Sequence, residues 1–134
     1  MAILSCFRKQ DAVSIDKLMA LDLPTSRENE YGHLRDAVKV TVVDSDSFVL
    51  YVCVARSDDG YYYGVDYATE SGGGCGGAWR ERKRRCKGKL EALRRGIKEA
   101  LQSYWIIRHE GNVDKLKRAL EELKRYEYVQ LTLF

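Results

Sequence analysis

Residues 37–68 read AVKVTVVDSDSFVLYVCVARSDDGYYYGVDYA, and the fold turns on this stretch. It holds three segments rich in β-branched and aromatic residues, separated by two polar clusters. Ala37–Val43 alternates Val38, Lys39, Val40, Thr41 and Val42, the pattern of a strand with one buried face. Phe48–Ala55 places Phe48, Leu50, Val52 and Val54 on one side and Val49, Tyr51 and Cys53 on the other. Two apolar faces mark a central strand. Tyr61–Ala68 is a third, aromatic-rich strand. Asp44-Ser45-Asp46-Ser47 supplies turn chemistry, and Ser57-Asp58-Asp59-Gly60 carries the Asp-Gly signature of a tight hairpin. The stretch predicts an antiparallel meander.

Working outward, residues 71–79 read SGGGCGGAW, with five glycines among positions 72–77. Glycine loses the most backbone freedom on ordering, so a loop is expected here. It either closes a hairpin to a short fourth strand around Ala78–Lys83 or leads straight into a helix. From about Arg84 to Trp105, Leu90, Leu93, Ile97, Leu101 and Tyr104 recur at steps of three and four, predicting a helix. Gly111-Asn112 interrupts it, with Asn112 as the expected N-cap of a second helix from Val113 to about Tyr126. On the N-terminal side, Ser14 caps about two helical turns over Ile15, Leu18, Met19 and Leu21, stopped before Pro24. The predicted fold is therefore α+β: a three- to four-stranded antiparallel meander followed by two C-terminal helices packed on one face. Residues 1–36 form an N-terminal segment with a short helix, 37–127 the core domain, and 128–134 a C-terminal tail.

Composition narrows the function. The 134 residues are 45% hydrophobic and 32% charged, which suits one globular domain. No run of 18 apolar residues exists, so no membrane partner is expected. The N-terminus carries its positive charges after a short apolar patch, the reverse of a secretory signal, and a cytoplasmic location is expected. Cys6, Cys53, Cys75 and Cys86 contain no C-x₂-C pair, and His33 and His109 are the sole histidines. Reduced thiols and no metal or other cofactor are the expectation.

Asp44, Asp46, Asp58 and Asp59 sit in turns at opposite ends of the central strand, about 25 Å apart, and cannot share a metal. Asp66, alternating with Val65 and Tyr67, is expected to face solvent. No catalytic constellation is recognisable, and a binding protein is expected rather than an enzyme.

Charge is unevenly placed. The chain carries +3 overall, while residues 80–89, RERKRRCKGK, carry +6 and leave −3 for the rest. Arg80, Arg82, Lys83, Arg84, Arg85, Lys87 and Lys89 are the candidate contacts to a DNA or RNA phosphate backbone. Arg82, Arg85 and Lys89 would line one side of a helix beginning this early. The preceding glycines match neither G-x-x-x-x-G-K-[ST] nor G-x-G-x-x-G, so a nucleotide cradle is disfavoured.

The last residues, 127–134, read EYVQLTLF. Gln130-Leu131-Thr132-Leu133-Phe134 resembles the short peptide by which many bacterial replication and repair proteins dock on the DNA polymerase sliding clamp. The resemblance spans five residues and implies a partner rather than a fold. It implies that Gln130 hydrogen-bonds at the pocket entrance, Leu131 lies along the channel between subsites, and Leu133 with Phe134 fills the deep apolar pocket. Thr132 stands where serine or aspartate is usual. The same residues alternate as a terminal strand would, so the alternative is a structural strand in a nucleic-acid-binding, regulatory or mobile-element inhibitor module. The glycine-cysteine loop followed by Ala-Trp also resembles small uncharacterised proteins of phages and plasmids, which implies no activity.

Overall fold

The computed structural model describes residues 11–133, with side chains through Glu127. Cys6 and Phe134 lie outside the described residues. The predicted α+β architecture is what the chain adopts: β2 (Val38–Asp44), β3 (Phe48–Ser57) and β4 (Gly60–Thr69) form the antiparallel meander. Asp58-Asp59 is the hairpin between paired Ser57 and Gly60. Gly60 takes φ +146°, a backbone region L-residues rarely enter. The strict alternation read for the first strand breaks at Val42, where Thr41 faces Tyr51 and Val43 faces Leu50. This bulge turns Val43 rather than Val42 into the core.

The far edge of β4 is shared by two short strands. β5 (Gly72–Gly74) pairs with Tyr67–Thr69, and β7 (Arg85–Cys86) pairs with Tyr61 and Tyr62. The glycine run expected to be a loop therefore contributes a strand. Pairing along β4 offsets its entropy, and a Cβ at Gly73 would lie 2.4 Å from the Tyr67 carbonyl oxygen. The predicted fourth strand around Ala78–Lys83 is a two-residue β6 (Ala78–Trp79), and it pairs outside the meander with β1 (His33–Leu34).

Helices cover one face of the sheet. α1 (Ile15–Ala20) begins at Ser14, whose Oγ accepts from the Lys17 amide at 3.1 Å, as its sequence predicts. α2 (Lys89–Ala100) crosses β3 where Gly96 meets Val52; a Cβ there would sit 2.8 Å from a Val52 methyl. Leu90, Leu93 and Ile97 of α2 join Leu18, Val40, Leu50, Val52, Val54, Leu116 and Leu123 in one core. The other face buries Cys53, Ala55 and Tyr62 beneath Leu34 and Ala78. Residues 11–36 belong to the same body: Val13 bridges Val40 and Thr25 bridges Arg56.

Four helix boundaries differ from their predicted places. The helix expected over Arg84–Trp105 is two: α2, then α3 (Tyr104–Ile107) after a turn. Residues 82–86 are held against the sheet edge, so α2 starts only at Lys89 after Gly88. Asn112 is not the N-cap of the second long helix. α4 (Glu110–Leu133) has already begun, and Asn112 is buried with its Nδ2 donating to the Ile106 carbonyl at 3.1 Å. Finally, α4 continues past Tyr126 to Leu133, so the backbone of 128–133 is helical where the alternative reading required a strand.

Candidate nucleic-acid interface

The seven cations of residues 80–89 do not form one surface. Arg82–Arg84 is a single 3-10 turn, Arg85 belongs to β7 and Lys89 opens α2, so the helical stripe of Arg82, Arg85 and Lys89 does not exist. Three of the seven are committed within the fold. The Arg80 guanidinium bonds Glu28 (3.2 Å), Asp58 (2.9 Å) and Asp59 (3.2 Å), fastening three segments together. Hydrogen bonding to Tyr62, then to Asp59 and Glu28, holds its pKa above the ordinary arginine value.

Arg84 forks onto Glu99 at 2.9 and 3.2 Å and lies 5.1 Å from the centre of the Tyr63 ring. Lys89 Nζ donates to the carbonyls of Leu18 (3.0 Å), Met19 (3.3 Å) and Leu21, closing the C-terminal end of α1.

The other four are available. Arg82, Lys83, Arg85 and Lys87 are exposed. Lys83 approaches Glu81 at 3.7 Å, a surface pair that water screens. The backbone beneath them is pinned: Arg95 donates to the carbonyls of Lys83 and, at 2.6 Å, of Arg85. The Lys87 amide donates to Glu91 at 2.8 Å. Four cations on a fixed turn can meet phosphates without reading sequence.

The glycine loop is occupied from within. Asp66, expected at the surface, is 4% exposed. Its Oδ1 accepts from the amides of Gly76 (3.0 Å) and Gly77 (3.3 Å), and Oδ2 lies 3.8 Å from Lys39 Nζ and accepts from the Cys53 thiol at 3.5 Å. These amides hold a carboxylate of the same chain, so they are not a phosphate cradle. Gly77 lies so close over β4 that a Cβ on Gly64 would be 1.8 Å from its carbonyl oxygen. The glycines serve close packing. Trp79, which follows the loop, has its indole Nε1 donating to the Gly76 carbonyl at 2.7 Å.

Burial, with Asp66 beside it, pushes the Cys53 thiol well above the usual range. Burial also raises the Cys86 thiol. No group of three or more His, Cys, Asp or Glu side chains suited to a metal occurs among the described residues. No helix among them is long and apolar enough to cross a membrane.

The peptide Gln130, Leu131, Leu133 lies in the last turns of α4, and its side chains, with Phe134, are outside the described residues. The last described contacts of α4 are Tyr126 Oη donating to Asp16 and the Arg94–Glu127 ion pair.

One exposed feature was misread from sequence. Tyr104, assigned to the apolar stripe of a long helix, is 65% exposed on α3, next to Trp105. The Gln102-Ser103 pair before it, polar and poor in helix propensity at Ser103, was the available sign that the helix breaks there. Comparison with protein-family models, curated proteins and solved structures finds no match to this chain.

Proposed function

We propose that this chain is a non-enzymatic accessory protein of DNA replication or repair in a bacterium, or in a phage or plasmid that lives in one. On this reading it works in the cytoplasm, docks on the sliding clamp through Gln130, Leu131, Leu133 and Phe134, and touches nucleic acid through its basic turn. The observation that carries the proposal is the five-residue sequence Gln130-Leu131-Thr132-Leu133-Phe134. The peptide follows Tyr126 and Glu127, the last described anchors of α4. The exposed Arg82, Lys83, Arg85 and Lys87 supply the second contact.

Two apolar anchors bury enough surface for about 3–5 kcal/mol before ordering costs, so affinity should be on the order of micromolar. Titration against bacterial sliding clamp, with wild type and Leu133→Ala/Phe134→Ala, is the test. Binding by the wild type that falls at least about tenfold in the variant is expected. Equal binding by both, or none by either, removes the clamp from the proposal.

A further inference from the structure

Four large apolar side chains stand exposed among the described residues, and three of them belong to α3. Tyr104, Trp105 and Ile107 are 65%, 51% and 38% exposed. The helix is fastened from beneath: Ile106 is fully buried, and the buried Asn112 amide donates to its carbonyl. A buried residue and a buried amide thus fix two aromatic rings in water, the reverse of what packing alone selects. The rings meet edge to face, centroids 5.6 Å apart at 74°, and the Arg108 guanidinium lies 5.7 Å from the Tyr104 ring centre and 5.4 Å from that of Trp105.

Charge complementarity selects the occupant. Arg108 brings a cation to the rings, and Lys98 stands exposed just before them on α2. The basic turn lies along the same helix, because Arg84 grips Glu99 and Arg95 holds the carbonyls of Lys83 and Arg85. Glu99 is five residues from Tyr104, on the order of 10 Å along the chain. The basic turn beside Arg95 and Glu99 and the exposed rings of α3 therefore both lie near the C-terminal end of α2. A duplex presents phosphates but hides its base faces, whereas a single strand offers both. We propose that α3 is a base-stacking platform and that the nucleic acid this chain takes is single-stranded. The inference rests on the reading of the basic turn given above and goes beyond it by naming the ligand class.

Fluorescence anisotropy with a labelled oligothymidylate of about 16 nucleotides, and with a blunt duplex of equal length, tests it. Wild type should prefer the single strand. Tyr104→Ala/Trp105→Ala should weaken single-strand binding roughly 5- to 100-fold with its salt slope unchanged, and leave duplex binding as it was. Trp105→Phe, which keeps a stacking face, should retain most of the affinity. Both side chains are more than half exposed, so the melting temperature should fall only slightly. Equal affinity for both probes, or an unaltered single-strand affinity in the double variant, overturns the platform while leaving phosphate contact by Arg82, Lys83, Arg85 and Lys87 standing. Absence of binding to either probe overturns both readings. Loss of self-association or of clamp binding on removing the rings, with single-strand affinity intact, assigns α3 to a protein partner and also overturns the proposal.

Discussion

Replacing Gly64 by alanine should unseat the glycine loop. Gly64 is buried in the middle of β4, opposite Cys53. A Cβ there would lie 1.8 Å from the Gly77 carbonyl oxygen and 2.6 Å from its carbon. Both obstacles are backbone, so no side-chain rotation relieves them. Reaching the 3.4 Å at which ordinary contact begins requires the loop to retreat by about 1.6 Å. The Gly76 and Gly77 amides, now 3.0 and 3.3 Å from Asp66, would then be out of hydrogen-bonding range.

Each bond to a charged group contributes about 1.5–3 kcal/mol, and the residue losing them is buried. Alanine recovers up to about 1 kcal/mol of backbone entropy. The net loss should be about 3 kcal/mol, a large part of a small domain's stability. Urea unfolding should show the midpoint falling by about 1–2 M with an unchanged m-value. Native tryptophan emission should shift as well, because Trp79 is bonded to Gly76. In a double-mutant cycle, Gly64→Ala and Asp66→Ala should be less than additive by at least about 1 kcal/mol, since both release the same loop. A loss below about 1 kcal/mol with unchanged fluorescence would refute the reasoning.

Other substitutions separate structural from exposed cations. Arg84→Ala should cost about 1–2 kcal/mol of stability through Glu99 and Tyr63, whereas Arg82→Ala should leave the melting temperature alone and lower the salt slope of nucleic-acid binding by about 0.7–0.9. Gly96→Ala gains helix propensity of about 1 kcal/mol but drives a methyl against the stiff, buried Val52. A net loss of about 1 kcal/mol in chemical denaturation, reduced in Gly96→Ala/Val52→Ala relative to Val52→Ala alone, is expected.

Asp36 is held down to about 2 by side-chain and backbone hydrogen bonds with Arg27. Its stabilising contribution is present above the unfolded carboxylate range and is lost as pH falls from about 4 towards 2. A carboxyl NMR titration should find that low midpoint, and Arg27→Ala should raise it. Tyr126 is raised to about 12, first by its hydrogen bond to Asp16 and then by burial. The contribution is complete below the ordinary tyrosine range near 10 and disappears as pH rises through about 12. Ultraviolet phenolate titration of wild type against Tyr126→Phe should remove that late step.

The meander was legible because its signals are local: β-branched alternation in 37–43, apolar faces on both sides of 48–55, and Asp-Gly at the hairpin. Ser14 was legible as a cap for the same reason. What failed depended on distant partners. Asp66 looks solvent-facing by alternation, yet the chain ten residues later folds over it with two amides. Val42 and Val43 exchange places because of a bulge that no periodicity announces.

The basic run was legible as charge but not as geometry, since Glu28, Asp58 and Glu99 claim Arg80 and Arg84 from elsewhere in the chain. The glycines advertised flexibility, and their use is close backbone contact along β4.

Lys89 ties the first helix to a point 71 residues further along the chain. α1 is six residues long, too short to hold itself together in water. The Leu21 amide donates to the Lys17 and Leu18 carbonyls, and the Lys89 ammonium adds its bonds to Leu18, Met19 and Leu21 from the start of α2. The packing of Ile15, Leu18 and Leu23 thus depends on residues that come far later in the chain. Part of the first helix's stability is lodged in a residue of the second, and a single ammonium group marks where they meet.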